Sequence, residues 1–139
     1  MPRVFEGHRQ NVNAIAFSLN GKALVSAGYD ATVRIWPLQG PDSPQVATLP
    51  SPLNAVVVAP DGEIVTAGAD GKVYFLSPEG AQRGAVEASP TPITALAISH
   101  NGDCIAAASI GGSVVTAMCM TYDIGRPLCS TSSERIASL

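Results

Sequence analysis

The stretch Asn13-Ala-Ile-Ala-Phe-Ser-Leu-Asn-Gly21 decides the fold, because its pattern occurs twice more along the chain. It returns 41 residues later as Asn54-Ala-Val-Val-Val-Ala-Pro-Asp-Gly62, and another 40 residues on as Thr94-Ala-Leu-Ala-Ile-Ser-His-Asn-Gly102. Self-similarity at a spacing of this size is the signature of stacked repeats, in which each unit buries its apolar surface against the next. The chain is therefore predicted to contain three equivalent units.

Each unit is predicted to consist of short β-strands, since its apolar residues alternate and turn residues separate the runs. In the first strand, Ile15 and Phe17 form a face of large side chains, and Ala14 and Ala16 form a face of small ones. Both faces are apolar, which predicts a strand that is covered on both sides. The Asn-Gly or Asp-Gly dipeptide that follows is typical of a tight hairpin with positive φ at both central residues. Four short antiparallel strands in roughly 40 residues make a propeller blade.

The predicted fold is all-β, with three blades of four-stranded antiparallel sheets arranged as an incomplete ring. The blades occupy residues 1–117, at about 3–45, 46–83 and 84–117, and residues 118–139 are predicted to be an irregular or disordered tail. Propellers typically close with four to eight blades. Two explanations stay open. Copies of the chain associate as a dimer or trimer, with Arg3–Glu6 as the outer strand of a neighbour's third blade, or the chain is a truncated part of a larger ring.

The first unit resembles the WD-repeat β-propeller family and is similar to its bacterial members. The residues that carry the resemblance are Gly7-His8, Ser26-Ala-Gly-Tyr-Asp30 and Val33-Arg-Ile-Trp36. The resemblance implies a buried hydrogen-bond network among four side chains of this unit, which are His8, Ser26, Asp30 and Trp36. At the corresponding positions the second unit keeps only Thr66 and Asp70, and the third keeps none. A buried indole N–H needs an acceptor, which gives such a network a physical reason.

Ser26, His8 and Asp30 also supply the side chains of a hydrolase triad. The serine lies in the middle of a predicted strand, without the Gly-x-Ser-x-Gly turn that exposes a nucleophile. A structural network explains the same residues, so the chain is predicted not to be an enzyme. A competing hypothesis is an enzyme that uses the channel of the ring, but Ala14, Ala16 and their equivalents provide no polar groups there.

The composition argues against several kinds of partner. Eight basic and eleven acidic side chains give a net charge of −3, with no basic stripe for nucleic acid. No apolar run approaches the roughly 18 residues of a membrane span, and residues 1–8 contain no apolar segment typical of a secretory signal. The three cysteines form no Cys-x-x-Cys pair, which argues against zinc or a disulfide framework, and Cys104 is predicted to be a small core residue. We expect a cytoplasmic protein without metal or cofactor, or a periplasmic one if it derives from a larger exported protein.

The loops that enter the blades are the predicted partner-binding surface, since their prolines lose little entropy on binding. The residues assigned to this surface are Arg9, Gln10, Asn11, Pro50, Pro52, Pro90 and Pro92. The predicted function is a non-catalytic scaffold that binds a protein or peptide and closes its ring by self-association or within a larger ring. The alternative is a fragment of a larger bacterial propeller that docks an electron-transfer partner.

Overall fold

The computed structural model of the chain describes residues 2–112, 114–119, 122–123, 126–127 and 134–136. Their regular structure consists of three four-stranded antiparallel sheets and one two-stranded hairpin. The first sheet contains, in chain order, β1 (Val12–Phe17), β2 (Ala23–Gly28), β3 (Thr32–Pro37) and β4 (Gln45–Thr48). The second contains β5 (Leu53–Val58), β6 (Ile64–Gly68), β7 (Lys72–Leu76) and β8 (Gln82–Glu87). The predicted all-β fold of four-stranded antiparallel blades is confirmed.

The third sheet differs from the other two in the origin of its outer strand. It consists of β9 (Ile93–Ile98), β10 (Cys104–Ser109), β11 (Val114–Cys119) and β14 (Glu134–Ile136), which pairs with β11. Between β11 and β14 the chain forms a hairpin of β12 (Tyr122–Asp123) and β13 (Arg126–Pro127). The third blade therefore has its fourth strand within the chain, and the expectation that a neighbour supplies it is wrong. The strands β12 to β14 also lie in the segment 118–139, for which the sequence predicts an irregular tail.

The segment Arg3–Glu6 is not a strand and lies against the first blade of its own chain. Arg3 Nη1 donates a hydrogen bond to the carbonyl of Leu38, at 2.9 Å. The ring of Phe5 packs on the indole of Trp36, with 5.4 Å between the centroids. Because the segment is not a strand, and because β14 already pairs with the outer edge of the third blade, the predicted role of Arg3–Glu6 as the outer strand of a neighbour's third blade is wrong as well.

The Asn-Gly and Asp-Gly dipeptides form the turn between the first two strands of each blade. In these turns only the glycine has a positive φ, which is 70° at Gly21, 92° at Gly62 and 81° at Gly102. The residue before it accepts a backbone N–H two positions ahead, as Asn20 Oδ1 does from Lys22 at 2.9 Å. The turn therefore has one left-handed residue instead of the predicted two, and the side-chain hydrogen bond explains why Asn or Asp precedes the glycine.

The three sheets stack face to face, and at each junction one face of a blade packs on the opposite face of the next. At the first junction, Ala14 and Ala16 pack into a buried cluster with Val56 and Val58. At the second junction, the other face of the second blade packs on large side chains of the third, which are Ile93, Leu96, Ile98 and Ile105. Alanine methyl groups and branched side chains are thereby removed from water at both junctions. The alternating apolar pattern therefore builds two junctions between blades.

The inner strands differ in burial according to their neighbours. β5 has a blade on each side, and Val56 and Val58 are buried there. The large-residue face of β1 is open, with Ile15 and Phe17 each 64% exposed, and in β9 the small-residue face is open instead. Cys104 is exposed on that same side of the third blade, so its predicted place in the core is wrong. Burial on both sides holds only for the middle blade, because only that blade has two neighbours among the described residues.

Two asparagines at equivalent positions tie the inner strands of adjacent blades together. Asn13 Nδ2 donates to the carbonyl of Leu53 at 2.9 Å, and Asn54 Nδ2 donates to the carbonyl of Ile93, also at 2.9 Å. The third unit has Thr94 at this position, and its hydroxyl donates to a carbonyl of its own sheet at 3.3 Å. Directional bonds of this kind fix the register of one blade on the next, which apolar packing alone does not specify.

We predict that Asn54→Ala lowers the free energy of unfolding by about 1 kcal/mol, because it removes a hydrogen bond between the second and third blades. The measurement is urea unfolding followed by the fluorescence of Trp36. Thr94→Ala is the matched control, since that side chain is exposed and its hydrogen bond stays within one sheet. Equal losses in the two variants would contradict the role given to Asn54.

Candidate functional site

The network predicted in the first blade joins side chains from the segment before β1, from β2, from the turn after β2 and from β3. His8 Nε2 lies 2.6 Å from Ser26 Oγ, and His8 Nδ1 lies 3.1 Å from both carboxylate oxygens of Asp30. Trp36 Nε1 donates to Ser26 Oγ at 2.8 Å. The structure thus brings all four predicted side chains together.

The carboxylate of Asp30 determines the direction of these hydrogen bonds. An ionised carboxylate can only accept, so in the neutral imidazole the Nδ1 of His8 carries the hydrogen and Nε2 is the acceptor. The hydroxyl of Ser26 therefore donates to Nε2, and its oxygen accepts the indole N–H of Trp36. Each polar group has a partner, as a buried network requires, and no buried side-chain N or O atom of the described residues lacks one.

Asp30 accepts hydrogen bonds from three parts of the blade. Its Oδ2 accepts the backbone N–H of Arg9 at 2.9 Å, and its Oδ1 accepts the hydroxyl of Thr32 at 2.7 Å. Burial acts to raise the pKa of Asp30, but the hydrogen bonds from Arg9, Thr32 and His8 outweigh it and hold the pKa well below its ordinary value of 3.8. Asp30 therefore stays ionised and ties the loop before β1 to the turn after β2.

Two residues of this site were missed by the sequence analysis. The hydroxyl of Thr32 lies 3.2 Å from His8 Nδ1 in addition to its bond to Asp30. Gly28 lies against the network, since a Cβ at that position would come within 2.7 Å of both Asp30 Oδ1 and His8 Nδ1. The Asp-x-Thr spacing is typical of a turn in which the carboxylate caps its own backbone, and it could have indicated Thr32. Nothing in the local sequence of Gly28 shows that His8 packs on it, because His8 comes from another segment.

His8, Ser26 and Asp30 have the connectivity of a catalytic triad, but Ser26 is not accessible. It is 3% exposed, and its hydroxyl oxygen is covered by the indole of Trp36, which is itself 5% exposed. A nucleophile must be reachable, with hydrogen-bond donors placed for the oxyanion that forms. The arrangement in this blade instead supports a structural role, which is to hold the indole in place.

In the second blade, Thr66 and Asp70 do not form a network with each other. Thr66 Oγ1 donates to the carbonyl of Ala55 at 2.7 Å. Asp70 accepts the hydroxyl of Tyr74 and the backbone N–H of Lys72. The second unit has no indole or imidazole at the equivalent positions, and its two polar side chains therefore take separate local partners.

The predicted partner-binding residues lie in the loops before the three inner strands. The five exposed residues are Arg9, Gln10, Asn11, Pro50 and Pro90. The two half-buried residues are Pro52 and Pro92. The carbonyls of Asn11, Pro52 and Pro92 each accept a backbone N–H from the turn after the second strand of the same blade, at 2.9–3.0 Å. The three loops are thus fixed to their blades, and together we call them the entry-loop surface.

An open depression of about 430 Å³ adjoins the entry-loop surface at the second blade. Acidic and small residues line it, namely Asp70, Glu87, Ala88, Ser89 and Pro90. Across the described residues, no three His, Cys, Asp or Glu side chains are grouped so that they could hold a metal ion. The same part of the chain contains no helix that is long and apolar enough to cross a membrane.

Stacked four-stranded blades and a tryptophan held by a Ser–His–Asp network define a β-propeller protein of the WD-repeat type. The family model described as "WD domain, G-beta repeat" matches residues 2–37 and 43–76, which is half of the chain. The chain belongs to the WD40 family. Among solved structures, the WD40 β-propeller domain of Doa1 is similar, with a TM-score of 0.69 and 17% identity over 80% of this chain and 38% of that one. This likeness shows the fold alone.

Curated relatives are similar over a shorter stretch. The chain is 34% identical over 62 residues to the target of rapamycin complex subunit LST8 of Saccharomyces cerevisiae and 39% identical over 62 residues to the subunit wat1 of Schizosaccharomyces pombe. It is 35% identical over 60 residues to the WD repeat-containing protein 18 of Homo sapiens. These matches cover 42–44% of this chain and 14–20% of the relatives, so the chain spans a fifth or less of their length. The relatives named here are eukaryotic, and the likeness to bacterial propellers stays a prediction.

We predict that Asp30→Asn lowers the stability of the protein at neutral pH by about 1–3 kcal/mol, because it removes a charged acceptor from a buried network. The native pKa of Asp30 lies below its ordinary value of 3.8, so this stabilisation is fully present above that pH and is lost as the pH falls below it. The difference in melting temperature between the unchanged protein and Asp30→Asn should therefore become smaller at acidic pH. Asp42→Asn is the control at an exposed aspartate, and an unchanged melt of Asp30→Asn at neutral pH would contradict the network's role.

A second pH dependence is predicted for Tyr74. Burial, together with the hydrogen bond to Asp70 and its negative charge, raises the pKa of Tyr74 from 10.0 to about 12. The neutral phenol is favoured in the native state, so its contribution to stability is present below pH 10.0 and is lost as the pH rises towards 12. Tyr74→Phe should therefore flatten the alkaline loss of stability, measured by thermal melts, whereas Tyr29→Phe should not. If the melting temperatures of Tyr74→Phe and of the unchanged protein fall equally at alkaline pH, this prediction is wrong.

Proposed function

We propose that this protein is a non-catalytic scaffold that binds a protein or peptide partner through the entry-loop surface. The observation that carries the proposal is the fixed geometry of three equivalent loops, each held by a backbone hydrogen bond to its own blade. A preorganised surface loses little entropy on binding, and exposed prolines strengthen this effect. Two relatives, LST8 and wat1, are described as subunits of a complex, and this description supports a role in protein assembly.

The charges near the entry-loop surface favour a polypeptide partner. Arg9 is exposed at the first blade while its backbone N–H is fixed on Asp30. Asp70 and Glu87 line the depression beside Pro90. Charges of both signs on one surface orient a bound chain and select among partners, whereas nucleic acid needs a contiguous basic surface. The proposal is therefore a protein or peptide partner, with no role for nucleic acid or membrane.

The proposal includes a complete ring, closed by another copy of the chain or by further blades of a larger ring. The open faces of the outer blades support this, since contiguous exposed apolar surface marks an interaction site. The covered hydroxyl of Ser26 supports a scaffold over a hydrolase that uses Ser26, His8 and Asp30. A cytoplasmic location belongs to the same proposal and is supported by the exposed free thiol of Cys104. No contact among the described residues favours an electron-transfer partner over another protein.

Selection from a random peptide library on the immobilised protein tests the scaffold function. Peptides that bind the entry-loop surface should lose affinity about tenfold on Arg9→Glu, as expected when one charged contact at an interface is reversed. Lys22→Glu is the matched control, because Lys22 is an exposed cation in the turn at the opposite end of the blade. A library that yields no binders, or binders equally sensitive to both changes, would overturn the proposed surface.

A further inference from the structure

The two junctions between blades show a fixed order of faces. The small-residue face of the first blade, with Ala14 and Ala16, packs on the large-residue face of the second. The opposite face of the second blade, with Val57 and Ala67, then packs on the large-residue face of the third. The same contact therefore occurs twice in the same direction along the stack, and the chain itself shows what covers each kind of face.

Among the residues that the structure describes, the outer blades leave one face of each kind without a neighbouring blade. The large-residue face of the first blade is open along β1, with Ile15 and Phe17 each 64% exposed, whereas the segment before β1 covers this face at Trp36. The small-residue face of the third blade is open as well, and Ala95 and Ala97 are exposed there. In the register of this sheet, Ala97 lies opposite Ala106 and Ala95 opposite Ala108. These alanines give the open face of the third blade a surface of methyl groups, on the side that packs on the next blade at the two interior junctions.

We propose that a second copy of this chain packs head to tail on these faces, so that the third blade of one copy receives Ile15 and Phe17 of the next. This contact rests on the ring proposed above, and it identifies a second copy of the chain as the partner that closes this ring. Two copies joined at both ends give a six-bladed ring, which lies within the typical range of four to eight. The alternative pairing of two identical faces would place Phe17 against Phe17, whereas both interior junctions pair opposite faces of successive blades. A head-to-tail contact closes into a ring when its rotation allows.

The junction between copies lacks one contact that the interior junctions have. Asn13 and Asn54 each donate a hydrogen bond to a carbonyl of the following blade. Thr94 holds the equivalent position in the third blade, and its hydroxyl is engaged within its own sheet. The contact between copies therefore depends on apolar packing without this hydrogen bond, which makes it weaker than the interior junctions.

Two variants and their mixture test the direction of the contact. Phe17→Asp blocks the face of the first blade and Ala97→Asp blocks that of the third, and both positions are exposed, so each variant should fold. By sedimentation, the unchanged protein should associate and each variant alone should be a monomer. Their equimolar mixture should form a one-to-one heterodimer, because one intact junction remains. Association of Ala97→Asp alone, or a mixture that stays monomeric, would overturn the head-to-tail contact.

The position of Thr94 provides a second measurement in the same heterodimer. Thr94→Asn, placed in the copy that also carries Phe17→Asp, should tighten the heterodimer about fivefold by restoring the hydrogen bond of the interior junctions. Thr94→Ala in the same copy should not tighten it. If Thr94→Asn leaves the affinity of the heterodimer unchanged, the proposed register between the third blade of one copy and the first blade of the next is wrong. If the unchanged protein is monomeric at all concentrations, this inference is wrong, whereas the peptide selection decides separately on the scaffold function.

Discussion

The packing of one apolar face of each blade on the opposite face of the next supports the rest of the structure. Each four-stranded sheet has apolar side chains on both faces, so a single blade would leave one or both of them in water. Burial of apolar surface contributes about 25 cal/mol per Å², and in this fold it is gained only when sheets stack. The alternation of alanine with valine, isoleucine or leucine along the inner strands is thus the feature from which the blades, their order and their open ends all follow.

The hydrogen-bond network of the first blade lies on the side that no neighbouring blade covers. Trp36 is nevertheless buried, because the segment before β1 covers it. Phe5 packs on the indole, and Gly7 allows a close approach, since a Cβ there would lie 2.6 Å from Arg34 Nη1 and 3.2 Å from Trp36 Cη2. The equivalent Leu76 of the middle blade is fully buried within the first junction and needs no such cover. The segment before β1, held by the network, therefore covers Trp36 in the first blade, as the neighbouring first blade covers Leu76 in the second.

The sequence predicts the repeat, the number of blades and the four side chains of the network, because each depends on a local pattern that recurs at a fixed spacing. It does not predict which inner strand is covered, since Ile15 and Val56 occupy equivalent positions and differ only in what lies beyond them. Thr66 and Asp70 show the same limit. Their residue types match the first blade, but without an indole and an imidazole they bind elsewhere. The outer strand β14 follows a break in the repeat, so periodicity gives no signal for it.

The origin of β14 also affects the order in which the blades form. The first two sheets pair strands in chain order, and their strands meet across short loops, so both sheets can assemble as they emerge from the ribosome. The third sheet is complete only once residues 134–136 have been made. The connection from β11 to β14 is longer than the other loops and contains the β12–β13 hairpin. During synthesis the outer edge of β11 therefore stays unpaired until β14 has been made. Unpaired edges pair readily with other strands, so β14 closes an edge of the third blade that would otherwise be open to another chain.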